Sequence, residues 1–274
     1  MSVTITAADI NKLRQATGAG MMDCRKALQE SNGDFEAAID WLRKQGQKVA
    51  AKRSDREANE GVVIAQTTAD NTAGIAVCVA CETDFVSKNA DFVAFAQSIA
   101  DAAIANNVKT LEELNDTTID GAKVSEMVND KLAAIGEKIG ITKFERVEAP
   151  YVASYIHGAY RIGVLVGLSE VNEEVGKDMA MQVAAMNPLA VDKTGISEEV
   201  IAREKSVVVD TMKNDPSMAG KPDELLHKIA DGKMNSFFKE NTLVQQAFVK
   251  DAAKSVADYL GKVKVTEFKR VALG

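Results

Sequence analysis

Histidine, cysteine and proline are scarce in this chain: its 274 residues hold two, three and four of them. The two histidines, His157 and His227, stand in neither an H-x-x-x-H nor an H-E-x-x-H setting, so the common metal and general-base constellations are missing. No glycine-rich loop ends in Gly-Lys-Ser or Gly-Lys-Thr, which excludes a P-loop nucleotide site. Cys78 and Cys81 form a C-x-x-C, but three residues apart on a strand their side chains face opposite ways. With no second pair, a tetrahedral zinc site is excluded, and an odd, small cysteine count fits a reducing compartment. Positive charge is also short: 33 Lys and Arg against 40 Asp and Glu leave a net charge of -7. That balance argues against a nucleic-acid surface, which needs clustered cations. The one basic patch, Lys44, Lys48, Lys52, Arg53 and Arg56, reads as a solvated linker helix. No apolar run approaches the ~18 residues that cross a bilayer, and Met1 to Thr6 lack the basic start and apolar run of a secretory signal. These absences predict a soluble, cytosolic protein that is not an enzyme and takes no cofactor, metal or small-molecule substrate of its own.

The patterning that is present divides the chain. Residues 1–46 read as three short helices separated at Gly18/Gly20, Gly33 and Gly46, with a Thr6/Asp9 capping box at the start. The helices span Met21 to Glu30 and Asp34 to Lys44 after the first, and Phe35, Ile39 and Leu42 fall at core spacing. Such a small unit buries little surface alone and is expected to dock. Residues 47–60 form the basic linker. Residues 61–149 then read strand, hairpin loop, strand and covering helix, with a further helix from Gly121 to Lys138 and a strand from Ile141 to Glu148. The same grammar returns in residues 150–187. Residues 188–240 form two helical segments around Asn214-Asp215-Pro216, a protruding helical hairpin. Residues 241–274 are read as a return segment, helical over Asp251 to Leu260 and then a strand, Lys262 to Val271, completing the second core half. The fold class is α+β: a three-helix module, a pseudo-repeated core of two antiparallel sheets with covering helices, and the protruding hairpin.

Gly74 to Ala80 is a short β-branched run bounded by turn residues, the pattern of a buried strand. Beyond it the chain leaves the sheet at Glu82, and Asn89 caps the next helix. Thr83, Asp84, Phe85 and Val86 occupy the connection. Phe85 has two readings: a probe for a partner, or a plug folded under the helix from Phe92 to Ile104. His157 closes an apolar strand at a turn and reads as a partly buried, hydrogen-bonded turn histidine.

Three blocks carry a resemblance. Thr83-Asp84-Phe85-Val86-Ser87-Lys88-Asn89 resembles the signature of the elongation factor Ts family. Thr17-Gly18-Ala19-Gly20-Met21-Met22-Asp23-Cys24-Arg25-Lys26-Ala27-Leu28 is similar to its N-terminal signature. Tyr155-Ile156-His157-Gly158-Ala159-Tyr160-Arg161-Ile162-Gly163-Val164-Leu165-Val166 resembles the start of the second half of its core. The resemblance implies a ubiquitin-associated-like N-terminal fold and one macromolecular partner, elongation factor Tu, with no direct nucleic-acid or membrane contact. It implies that Asp84 and Phe85 intrude between two partner helices near a Mg²⁺ site. Arg14, Met21 and Met22 would hold the nucleotide domain, although core packing of one methionine is equally compatible with their chemistry. Ile135, Gly136 and His157 would supply further contacts. Two departures stand out. Ser87 replaces a common Ala, and the sequence stops soon after its last strand, where some members add a partner-touching helix. Two rival classes explain less: a ubiquitin- or peptide-binding module accounts only for the N-terminal helices, and a small-molecule enzyme would need a polar pocket.

Overall fold

The computed structural model describes residues 4–53, 55–218 and 221–274. α1 (Ala7–Thr17), α2 (Met21–Glu30) and α3 (Phe35–Arg53) open the chain. Thr6 and Asp9 make the capping box at the start of α1, and Leu13, Cys24, Leu28, Ala38 and Leu42 form the small core of this unit. α3 runs past the expected end at Lys44 and past Gly46. The reason is tertiary: a methyl on Gly46 would stand 2.6 Å from the Ala133 Cβ, so glycine here permits helix packing instead of ending a helix. Of the basic linker patch, the Lys52 side chain lies outside the described residues.

β1 (Glu60–Thr67) and β2 (Ala73–Cys81) pair antiparallel and lead into α4 (Asp84–Ser87), a single turn, and α5 (Ala90–Ala105). α6 (Leu111–Asp116) follows, then a tight hairpin of β3 (Thr118–Ile119) and β4 (Ala122–Lys123). That hairpin corrects the expected helix start at Gly121. Asp120 and Gly121 both adopt positive φ, 50° and 86°, as a two-residue turn requires. α7 (Val124–Ile135) begins after it and ends at Gly136 in the left-handed conformation, a common helix stop. β5 (Gly140–Glu148) completes the first sheet, in order β1-β2-β5.

β6 (Tyr151–His157), β7 (Ile162–Leu168) and α8 (Glu173–Met186) repeat the pattern. α9 (Glu198–Lys213) and α10 (Asp223–Asn241) form the helical hairpin, closed by Val209, Met212, Leu226 and Ala230. The return segment differs from expectation. Asp251 to Ser255 is β9, paired with β8 (Ala247–Phe248), and only Val256–Leu260 is helical, as α11. The Ser255/Asp258 capping box starts that helix late. β10 (Val265–Ala272) then pairs with β7, giving a second sheet in order β10-β7-β6.

The two sheets pack face to face. Val63, Ala65, Ala76, Cys78 and Ala80 of the first meet Val152, Leu165 and Val271 of the second. α5 covers the outer face of the first sheet and α8 that of the second. All nine residues of β2 are therefore buried, which explains its unbroken apolar run. Cys78 lies in the layer between the sheets and Cys81 under α5, on opposite faces. A buried carboxylate, Asp178, takes Lys250 at 2.5 Å and the Tyr259 hydroxyl at 2.8 Å, tying the return segment to α8. No helix among the described residues is long and apolar enough to cross a membrane.

Candidate partner interface

β2 ends at Cys81, and the chain turns out of the sheet into α4 with Thr83 as its N-cap. Adjacent side chains of that turn diverge. Val86 packs on the first core, while Phe85 is 86% exposed, so the plug reading fails and the ring stands free. The Asp84 carboxylate pairs with Lys88 Nζ at 2.6 Å, and this hydrogen bond holds its pKa below the usual range. Ser87 donates from Oγ to the Asp84 carbonyl at 3.3 Å, closing the turn. Asn89 caps α5 by accepting from the Asp91 N–H at 2.8 Å.

The root of α4 is braced on both sides. Thr83 donates its N–H and its hydroxyl to Glu137, at 3.1 and 2.8 Å. Glu82 accepts from the Lys138 N–H at 2.6 Å and from Arg53 and Arg56 at 3.0 Å each. The Lys138 N–H is the main reason its carboxyl falls to about 2, with Arg56 and Arg53 adding to it. Glu82, Glu137, Arg53 and Arg56 were not foreseen as site residues. The available signal was an acidic residue at the end of a buried strand and a cationic cluster just before the first strand.

A cleft of about 880 Å³ opens between the N-terminal helices and α5 and α7, and Phe85, Val86 and Ile135 line it. Lys26 lies 5.8 Å over the Trp41 ring and Lys131 4.9 Å over Phe95, two cation–aromatic pairs on its walls. Arg14, Met21 and Met22 flank the Gly18–Ala19 turn, which also lines the cleft. Met21 and Met22 are both exposed, 54% and 72%, so neither is a core residue. Gly18 and Gly136 cap α1 and α7 in left-handed geometry. Of the expected site residues, Phe85, Val86 and Ile135 line this cleft, whereas Arg14, Met21, Met22 and Gly136 are not among its lining residues.

His157 belongs to the second half of the core and lies outside the cleft. It is exposed, not partly buried as a core histidine would be, and the Tyr155 hydroxyl is 3.2 Å from its Nδ1. The turn after it is strained, since Ala159 and Tyr160 adopt positive φ, 52° and 68°, which costs non-glycine residues on the order of 1–2 kcal/mol each. The Tyr160 carbonyl accepts from Val63 at 2.8 Å, and Arg161 pairs with Glu60 at 3.0 Å. Glu60 is the register partner of Cys81, so this turn and α4 leave the same end of the core.

The sequence model of the family described as Elongation factor TS matches residues 82–274. The chain belongs to the elongation factor Ts family. It is similar to "Elongation factor Ts" of Christiangramia forsetii, 49% identical with 98% of this chain and 99% of that protein aligned. The proteins of the same name from Flavobacterium psychrophilum, 46% identical with 99% of each chain aligned, and Amoebophilus asiaticus, 45% identical with 99% of this chain and 100% of that protein, are likewise similar. In this elongation factor Ts family member the signature residues Thr83 to Asn89 thus form a free-standing aromatic on a braced turn.

Proposed function

We propose that this chain is a guanine-nucleotide exchange factor that binds elongation factor Tu. It promotes release of GDP and Mg²⁺ so that GTP enters, supporting the elongation phase of protein synthesis in the cytoplasm. Family membership supports the reading, and the observation that carries it is Phe85, exposed on a turn whose root is fixed by two carboxylates. An exposed ring on a rigid support enters a partner with little ordering cost. Asp84 and Phe85 act at the partner's cation site and between its helices. Thr83 and Val86 set that turn.

Energetics require more than one contact. A thousandfold change in nucleotide affinity corresponds to ~4 kcal/mol of coupling, and burying one Phe contributes roughly 1.5–3 kcal/mol. Residues 1–46, with Arg14, Met21 and Met22, act as the docking module, and the core halves, residues 61–149 and 150–187, add Ile135, Gly136 and His157. The hairpin, residues 188–240, protrudes from the core, and the return segment, residues 241–274, completes the second half. The linker, 47–60, joins module to core.

The experiment is release of labelled GDP from elongation factor Tu, followed by titration of GDP with Mg²⁺ into the preformed complex. Release accelerates with added chain, and excess GDP with Mg²⁺ dissociates the complex, because nucleotide and chain weaken each other's binding reciprocally. A complex indifferent to saturating GDP refutes the mechanism.

A further inference from the structure

A one-turn helix has no stability of its own, and α4 contributes a single side chain, Val86, to the core. Its orientation must therefore come from its root. There, residues 82–83 and 137–138 hold each other in both directions: Glu82 accepts the Lys138 N–H at 2.6 Å, and Glu137 accepts the Thr83 N–H and hydroxyl at 3.1 and 2.8 Å. The N-terminal unit joins the same clasp. Arg53 on α3 and Arg56 just after it both reach Glu82 at 3.0 Å. Lys138 Nζ donates to the Arg56 carbonyl at 2.7 Å. α3 also lies directly on α7, with Gly46 against Ala133 and Arg43 3.7 Å from Asp130.

Resting on the exchange reading, we propose that Glu82 and Glu137 are positioning residues. They aim Phe85 and couple it mechanically to the N-terminal helices, so that docking of those helices and insertion of the ring are one event. Glu82 suits this because its two oxygens serve three segments at once: α3, the residues after it and the loop that follows α7. The β1-β2 pairing stops at Glu60 with Cys81 and the β2-β5 pairing at Ala80 with Gly140, so the clasp lies just beyond the last ladder pairs and carries that register out to the root of α4. Replacing either carboxylate frees the root of α4 while leaving the sheet and its cover intact. The ring then samples orientations that cannot enter the partner. Binding through the N-terminal helices persists, and the step that expels nucleotide slows.

The test is stopped-flow release of a fluorescent GDP from elongation factor Tu across a range of chain concentrations. The chains are wild type, Glu82→Gln, Glu137→Gln and Phe85→Ala, with each Gln change also placed on Phe85→Ala. Each Gln variant is expected to lower the maximal release rate by ~tenfold or more while its KM stays within about twofold. On the Phe85→Ala background the Gln changes are expected to add no further loss, because they act through that ring. A purely structural role would instead reduce the rate equally on either background. Wild-type rates in the variants, a loss confined to KM, or an undiminished further loss without Phe85 overturns the proposal. Should Glu82→Gln fail to fold, Glu137→Gln is judged by the same outcomes. A wild-type chain that does not accelerate release brings down the exchange reading and this inference together. Wild-type acceleration with unaffected variants overturns this inference alone.

Discussion

Phe85 exposes 86% of its surface and so contributes almost nothing to folding, which separates partner contact from stability at one side chain. Phe85→Ala is expected to reduce exchange by ~tenfold or more, about 1.4 kcal/mol, and to change unfolding free energy by less than ~0.5 kcal/mol. Denaturant melts run beside release assays check both, and a melt shifted by several kcal/mol would restore the buried-plug reading. Glu82 behaves differently. Its carboxyl sits at about 2 in the folded chain against the usual 4.5. A depressed folded value means that the ionised group stabilises the fold above pH ~4.5 and that this contribution disappears as pH falls through about 2. Glu82→Gln is accordingly expected to be less stable than wild type at neutral pH, with the gap closing between pH ~4.5 and ~2. Parallel denaturant titrations along that series measure it. A gap that stays constant in that window would show that Glu82 acts through its shape alone.

Between elements, the seam of α3 on α7 decides how the N-terminal helices meet the core. Gly46 marks the closest approach, since a Cβ there would overlap the Ala133 Cβ at 2.6 Å. Both atoms belong to short side chains on helices, so neither can swing aside. Gly46→Val is expected to push the helices apart at a cost of roughly 1–3 kcal/mol. Amide hydrogen exchange should quicken in α3, in the last turn of α7 and at residues 82–83, and stay unchanged in β2. Protection in α3 and α7 equal to wild type would show that the seam carries no constraint. The α9–α10 hairpin, in contrast, closes on its own small apolar cluster.

Across the whole molecule, the second sheet depends on a strand from the far end of the chain. β10 pairs with β7 along Val265 to Ala272 and buries Val265 and Val271. Ending the chain after Gly261 would strip a ladder from β7 and open the layer that the two sheets share. Loss of cooperative melting of the second half is expected, together with faster amide exchange in β6 and β7. A truncated chain with native protection there would refute the dependence. The face-to-face sheets also place α4 and the strained turn after His157 at one end, through Glu60 beside Cys81 and bound to Arg161. Two segments far apart in sequence thereby face the same side of the molecule.

Local chemistry was legible in the sequence because it acts over a few residues. The Thr6/Asp9 box, the Asn89 cap, the apolar run of β2 and the repeated strand-turn-strand-helix order each depend on neighbours within a turn or a hairpin, and the structure contains them. The signature blocks likewise carried the family. Whatever depends on residues distant in sequence was decided only by tertiary structure. Gly46 read as a helix end, yet the approach of Ala133 makes glycine the residue that lets α3 continue. Asp251 to Ser255 read as helix, yet pairing with β8 draws it into a strand. An aromatic on a connection has equal local reason to turn in or out. Phe85 stands outward because Val86 fills the core position beside it and because Glu82 and Thr83, held by Glu137, Lys138, Arg53 and Arg56, fix the root of its turn.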